Sequence, residues 1–173
     1  MAGLLPPLVL MTDDERLGDP LAAARALPRG SMVVVRSRDA KRRAELAQAM
    51  LKLSTLVVLV ADDPELAAGA DGVHLPQRRA GEAAHWRALH PRWLITAAAH
   101  GARGSDANLD ALFLSPVFAT ASHPERAALT AARANAIARA LSTPVYALGG
   151  IDAGNARLLA GFVGIAAIGA LAV

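Results

Sequence analysis

Short apolar runs alternate with alanine-rich helical segments along the whole chain, and this alternation constrains the fold more than any other feature. Several runs are continuously apolar, as expected for strands buried on both faces of a parallel sheet. The eight predicted strands span residues 7–12, 32–36, 55–61, 72–75, 93–98, 111–115, 145–148 and 164–171. The clearest predicted helices between them span residues 39–53, 130–141 and 152–159.

Repeated strand–helix units predict an α/β fold with a parallel sheet. Eight units favour a closed (β/α)8 TIM barrel, whereas five or six would suit an open sheet. The 173 residues leave about 22 for each unit, fewer than a barrel of about 250 residues provides. The helices must therefore be short. The chain ends at Val173, soon after the eighth strand. The sequence thus predicts one compact domain over residues 1–173 with the last helix missing.

Composition excludes several classes of protein. Hydrophobic residues make up 54% of the chain and charged residues 19%, which favours a packed core over disorder. The net charge is +3, but the basic residues are scattered through alanine-rich segments and aromatic residues make up only 3%. A nucleic-acid surface combines clustered basic side chains with aromatic side chains for stacking. We therefore expect no nucleic-acid partner.

Cysteine is absent, so disulfides, thiolate nucleophiles and zinc–thiolate sites are excluded. No positive charge precedes the apolar N-terminal run, and Asp13, Asp14 and Glu15 follow it at once, unlike a secretory signal. The apolar run 161–173 is too short and too rich in glycine to span a bilayer. We expect a cytoplasmic protein without a membrane partner. The residues leave open whether it forms a homo-oligomer.

In a barrel of this type the active site lies at the C-terminal ends of the strands. Gly149 and Gly150 end the seventh predicted strand, and Ile168 and Gly169 lie near the end of the eighth. Glycines there let backbone N–H groups approach a ligand, and these two loops often bind phosphate. The sequence therefore predicts a small phosphorylated ligand, although a plain tight turn would also explain the Gly–Gly pair.

Arg36 and Arg38 end the second predicted strand. Residues i and i+2 of a strand face the same side, so both side chains are expected to point into the barrel mouth. Two guanidinium groups there favour phosphate or pyrophosphate. Because Lys41, Arg42 and Arg43 follow, a solvated basic loop is the alternative.

Four segments, in this order and spacing, resemble the thiamine phosphate synthase/TenI family. They are residues 70–75 (ADGVHL), 115–122 (SPVFATAS), 144–151 (PVYALGGI) and 164–168 (GIAAI). The resemblance covers almost the whole chain and implies a (β/α)8 barrel. Synthases of this family join a pyrimidine pyrophosphate to a thiazole phosphate and release pyrophosphate with Mg²⁺. TenI proteins isomerise the thiazole phosphate without a metal.

The resemblance also implies roles for individual residues. The backbone N–H groups expected to bind the thiazole phosphate are those of Gly149, Gly150, Ile168 and Gly169. The side chains expected to hold pyrophosphate are those of Arg36, Arg38, Thr120, Ser122 and His123, the last standing where synthases carry lysine. Asp62 matches a carboxylate that binds Mg²⁺ in synthases, and His100 matches the acid–base histidine of TenI tautomerases.

Several positions depart from the synthase pattern. Val34 replaces a glutamine, Ala61 an asparagine and Gly169 a serine. Arg78 and Arg79 stand where a second metal carboxylate is expected, and one remaining Asp makes a poor Mg²⁺ site unless pyrophosphate supplies oxygens. Arg79 is the side chain expected to compensate.

Three functions therefore stay open. The first is a thiamine phosphate synthase-like transferase, favoured by the overall resemblance. The second is a TenI-type tautomerase that moves a proton through His100, since imidazole titrates near neutral pH. The third is a phosphate-binding relative without catalysis. The remaining histidines are expected to be structural, with His74 packed in the protein and His85 and His90 at its surface.

Overall fold

The eight strands form one closed parallel barrel. The structure, a computed structural model, describes residues 5–102, 107–120 and 127–169. The strands are β1 (Leu8–Met11), β2 (Met32–Val35), β3 (Val57–Ala61), β4 (Gly72–Leu75), β5 (Leu94–Ala99), β6 (Ala111–Leu114), β7 (Val145–Leu148) and β8 (Gly164–Ala167). Each strand pairs in parallel with the next, and β8 closes the barrel on β1. The predicted (β/α)8 fold class is confirmed.

The helices that connect the strands are short. They are α1 (Pro20–Ala26), α2 (Ala40–Leu51), α3 (Ala83–Leu89) and α4 (Ala131–Ala140), and 3₁₀ helices span Pro64–Ala67, Gln77–Glu82 and Ala156–Leu158. No helix in the described part of the chain is long and apolar enough to cross a membrane. Residues after 169 lie outside the described part, so the missing last helix stays a prediction.

The helix predicted over residues 152–159 is wrong in extent, because only the 3₁₀ turn Ala156–Leu158 forms there. The Asp152 carboxylate accepts hydrogen bonds from the backbone N–H groups of Gly154 at 2.8 Å and Asn155 at 2.9 Å. Such local bonds offer the backbone an alternative to a helix. By contrast, Asp39 caps α2 as predicted, accepting from the Arg42 N–H at 2.6 Å.

Side chains alternate across the barrel wall. In β1 and β2, Val9, Met11, Met32 and Val34 pack into one buried cluster inside the barrel. Their neighbours, such as Leu10, Val33 and Val35, belong to a larger cluster that includes apolar residues of the helices. Both faces of each strand are therefore buried, which explains the continuously apolar runs. A side chain in phase with the inner cluster, just past a strand end, faces the barrel mouth.

Candidate active site

A cavity of about 520 Å³ opens at the C-terminal ends of the strands. Its lining residues end or follow all eight strands, so widely separated parts of the sequence meet there. Of the eleven predicted site residues, the eight that line it are Arg36, Asp62, His100, Thr120, Gly149, Gly150, Ile168 and Gly169. Ser122 and His123 lie outside the described residues.

Arg36 and Arg38 do not share the cavity, so the prediction that both point into the barrel mouth is wrong for Arg38. Strand β2 ends at Val35, which stops the alternation before it reaches residue 38. The Arg38 side chain is 89% exposed and pairs with Glu15 at 3.1 Å. Instead it lines a neighbouring polar cavity of about 440 Å³, which Arg36 lines as well.

Thr12 holds Arg36 at the rim. The Thr12 hydroxyl donates to the Arg36 carbonyl at 2.8 Å and accepts from the Arg36 N–H at 2.7 Å. Arg36 therefore continues the alternation of β2 beyond the strand end, and its side chain faces inward like those of Met32 and Val34. Within the described residues, the Arg36 guanidinium makes no ion pair with a carboxylate. Its charge is available to an anionic ligand in the cavity.

Arg16 reaches the same cavity from the loop after β1, and the sequence analysis did not single it out. Asp13 binds this arginine at 2.9 Å. Burial alone would raise the pKa of Asp13, but hydrogen bonds from Arg16 and from the backbone outweigh it and lower the pKa to about 2. Arg16 therefore stays paired at ordinary pH. Its position after a strand end was the only sequence signal for it.

The turn after β7 requires glycine. Gly149 and Gly150 have φ values of 97° and 64°, the left-handed region that other residues avoid. A Cβ atom on Gly150 would lie 2.2 Å from the Ala119 carbonyl oxygen. The Asn155 amide fixes the turn by donating to the Gly150 carbonyl at 2.8 Å. Within the described residues, the N–H groups of Gly149 and Gly150 donate to no backbone or side-chain acceptor. Unpartnered N–H groups in such a turn attract anions.

His100 lies just past β5 and lines the cavity. Its Nδ1 atom is 2.9 Å from the Ser115 carbonyl oxygen, and its backbone N–H donates to Gln77 Oε1 at 3.1 Å. A carbonyl oxygen only accepts, so Nδ1 carries the proton and Nε2 is the basic nitrogen of the neutral ring. This tautomer suits a group that takes up a proton at Nε2.

His74 combines burial with a place in the cavity lining, where the sequence predicted only a packed residue. The Thr96 hydroxyl donates to the Val73 carbonyl at 3.3 Å and lies 2.9 Å from His74 Nδ1. Because that hydroxyl proton is used, Nδ1 carries a proton and donates it to Thr96, leaving Nε2 as an acceptor. Burial, with the charge of Arg36, lowers the pKa of His74 to about 3. The ring is therefore uncharged at neutral pH.

The depressed pKa of His74 predicts a loss of stability in mild acid. In the unfolded chain the His74 imidazole binds a proton below about pH 6.5, whereas in the folded chain it stays unprotonated down to about pH 3. The free energy of unfolding should fall by about 1.4 kcal/mol for each pH unit within this window. Urea unfolding at pH 7, 6, 5.5 and 5 measures it, and His74→Gln should flatten the dependence. Parallel curves for the two proteins would contradict the assignment.

Asp62 is exposed, has a φ of 67° and lines both cavities. Its backbone carbonyl accepts a hydrogen bond from Arg79. In the described ranges, no group of three or more His, Asp or Glu side chains comes together to hold a metal. Mg²⁺ favours several oxygen ligands in octahedral array. One carboxylate on a cavity that Arg36 and Arg78 also line does not fit a site in which the protein itself holds Mg²⁺.

The chain is similar to known proteins over almost its whole length. A family model described as thiamine monophosphate synthase (TMP-TENI) matches residues 8–171. The chain is 34% identical to a thiamine-phosphate synthase of Albidiferax ferrireducens, over 95% of this chain and 83% of that protein. It is 33% identical to a thiamine-phosphate synthase of Alcanivorax borkumensis, over 93% and 80% of the two chains.

A solved structure supports the fold alone. Thiamine phosphate pyrophosphorylase from Pyrococcus furiosus superposes with a TM-score of 0.76 and 22% sequence identity. The alignment covers 96% of this chain and 87% of that one. At this identity the likeness shows a shared fold.

Proposed function

We propose, from the premise that this chain belongs to the thiamine monophosphate synthase family, that it couples a pyrimidine pyrophosphate to a thiazole phosphate in thiamine biosynthesis. The observation that carries the proposal is the presence of two anion-binding features on one cavity. The N–H groups of Gly149 and Gly150 lie at one part of its wall, and the Arg36 guanidinium lies at another. A coupling reaction between two phosphorylated substrates needs such a pair.

The reaction breaks one bond and forms one bond at the same carbon. The bond from the pyrimidine's substituent carbon to the pyrophosphate oxygen breaks, and pyrophosphate leaves with the electron pair. The thiazole nitrogen then forms the new carbon–nitrogen bond with the carbocation. Arg36 stabilises the negative charge that develops on the leaving group, which is where preorganised electrostatics contributes most. The turn at Gly149 and Gly150 orients the thiazole through its phosphate.

Other predicted residues complete the proposal. Thr120 lines the cavity and would bind a pyrophosphate oxygen, as would Ser122 and His123 of the adjoining segment. Arg38 is left out because it pairs with Glu15 outside this cavity. His74 offers Nε2 as a neutral acceptor on the cavity wall, which suits an N–H donor on a heterocyclic ring.

A second candidate, a thiazole phosphate tautomerase, is favoured by the geometry of His100. Its ring lies on the cavity that also holds the glycine turn, and the Ser115 carbonyl fixes the proton of the neutral ring on Nδ1. A tautomerase needs a group that removes a proton from the ring and returns one elsewhere. The synthase needs no strong base, because the thiazole nitrogen captures a carbocation.

Replacing His100 by alanine separates these candidates. For a synthase we expect formation of the coupled product to slow by less than about tenfold, whereas loss of a general acid–base group costs about 10²- to 10⁴-fold. Product and pyrophosphate are measured with both substrates present. Exchange of the thiazole ring proton with deuterium is followed by NMR with the thiazole phosphate alone. The matched control is His85→Ala, which removes an exposed histidine of α3.

The outcomes of this experiment differ for each function. Coupling by the wild type, with little loss in His100→Ala, supports the synthase. Deuterium exchange that His100→Ala abolishes, with no coupled product, would replace the synthase by the tautomerase. Binding of the thiazole phosphate with neither reaction would leave a non-catalytic binding protein.

A further inference from the structure

The two arginines that follow β4 have different roles in the structure. Arg79 binds Glu82 through two hydrogen bonds of 2.7 Å, from Nε to Oε1 and from Nη2 to Oε2. Its remaining Nη1 donates to the Asp62 carbonyl. Hydrogen bonds from Arg79 and Trp86 lower the pKa of Glu82 to about 2, so this carboxylate stays charged. Arg79 therefore connects the loop after β4 to the loop after β3 through these hydrogen bonds.

Arg78 is the arginine that lines the barrel-mouth cavity, and it is exposed there. Among the described residues, no carboxylate forms an ion pair with it. The sequence predicted Arg79 as the side chain that compensates for the lost metal carboxylate. The contacts assign that position to Arg78, because each guanidinium nitrogen of Arg79 already donates to a protein acceptor.

The described residues that line this cavity carry a net positive charge. Among the described residues, Arg36 and Arg78 have no carboxylate partner, and Asp62 is the one acidic side chain of the lining. Arg16 adds a third guanidinium whose charge Asp13 offsets. The low pKa of His74 keeps its ring uncharged. The positive charge of the lining disfavours binding of a cation. It favours a multiply charged anion, which can contact the guanidinium groups of both Arg36 and Arg78.

We infer that the cavity binds a pyrophosphate group directly through Arg36 and Arg78, without a metal ion held by the protein. The inference rests on the proposed function for the identity of the anion. A guanidinium group binds phosphate oxygens in pairs and keeps its charge at any ordinary pH. Two such groups together carry the charge of one divalent cation and can neutralise pyrophosphate in its place, and their charge disfavours a cation beside Asp62.

Titration calorimetry with inorganic pyrophosphate tests the inference without catalysis. In metal-depleted buffer we expect the wild-type protein to bind pyrophosphate, and added Mg²⁺ should not tighten binding. Arg78→Ala should weaken it by about 10- to 100-fold, the usual scale for losing hydrogen bonds from a charged group. Arg29→Ala is the matched control, since it removes an exposed arginine before β2, at the opposite end of the barrel. It should bind like the wild type.

A second variant reverses the charge. Arg78→Asp places a new carboxylate on the cavity that Asp62 lines, so pyrophosphate should bind only when Mg²⁺ is present. Two results would overturn the inference: wild-type binding that requires Mg²⁺, or Arg78→Ala binding as tightly as Arg29→Ala. The coupling assay separates the two proposals. Coupling that needs Mg²⁺ would contradict this inference but support the synthase. Pyrophosphate binding without a metal, in a protein that forms no coupled product, would support the inference but contradict the synthase.

Discussion

Replacing Arg36 by alanine is expected to slow pyrophosphate release in the coupling reaction by about 10²- to 10³-fold, the usual cost of removing one preorganised charge-stabilising donor. Arg36 is half-buried, and Thr12 holds its backbone through hydrogen bonds of 2.7 and 2.8 Å. Its backbone is therefore fixed at the cavity, so only the side chain has to be ordered when the leaving group binds. The rate is measured as pyrophosphate formed at saturating concentrations of both substrates.

Two other arginines give this experiment its controls. Arg29→Ala removes the same charge at an exposed position near the N-terminal end of β2 and should leave the rate unchanged. Arg38→Ala should cost far less than Arg36→Ala, because the Arg38 side chain is 89% exposed and pairs with Glu15. Equal losses in the Arg36 and Arg38 variants would contradict the separation of these two side chains. An Arg36 variant as fast as the wild type would remove Arg36 from the mechanism.

Replacing Gly169 by aspartate should weaken binding of the thiazole phosphate by about a hundredfold or more, because a like charge beside a bound anion costs several kcal/mol. Gly169 lines the cavity, and no heavy atom of the described residues lies within 4 Å of a Cβ built on it. A side chain there displaces none of the residues that the structure describes. Calorimetry with the thiazole phosphate measures the change in affinity.

Gly169→Asn is the matched control, since asparagine has the shape of aspartate without its charge. We expect it to bind within about tenfold of the wild type, the scale of a changed polar contact. Equal weakening in both variants would mean that bulk, not charge, is responsible. Unchanged affinity in Gly169→Asp would remove this loop from the phosphate site. Gly150 is a poorer position for such a test, because a Cβ there would lie 2.2 Å from the Ala119 carbonyl oxygen.

The barrel could be predicted from the sequence because its determinants are local. Strands buried on both faces must be continuously apolar, and Gly72–Leu75 and Val145–Leu148 have the predicted bounds. Asp39 has a carboxylate that can cap a helix, and it begins α2 as expected. The wrong extent of the helix predicted at 152–159 is also a local effect, since Asp152 and Asn155 take up the backbone groups that a helix needs.

Placement around the cavity depended on contacts between distant parts of the chain. Arg36 and Arg38 alternate in sequence, but β2 pairs with β3 only as far as Val35, so the second arginine turns away. Arg78 and Arg79 are adjacent in sequence and equal in charge. The structure distinguishes them because Glu82 and the Asp62 carbonyl, 3 and 17 residues away, occupy Arg79.

The sequence by itself determined the class of fold, the end of the barrel that carries the site and the residue types present there. Apolar periodicity and the position of glycines after strands contain that information. Only the tertiary structure decided which charges remain uncompensated. An ion pair depends on distances between side chains, and hydrogen bonds such as that from His74 to Thr96 cross 22 residues. The charge of the cavity, from which we infer that it binds an anion without a metal held by the protein, is a property of the folded chain.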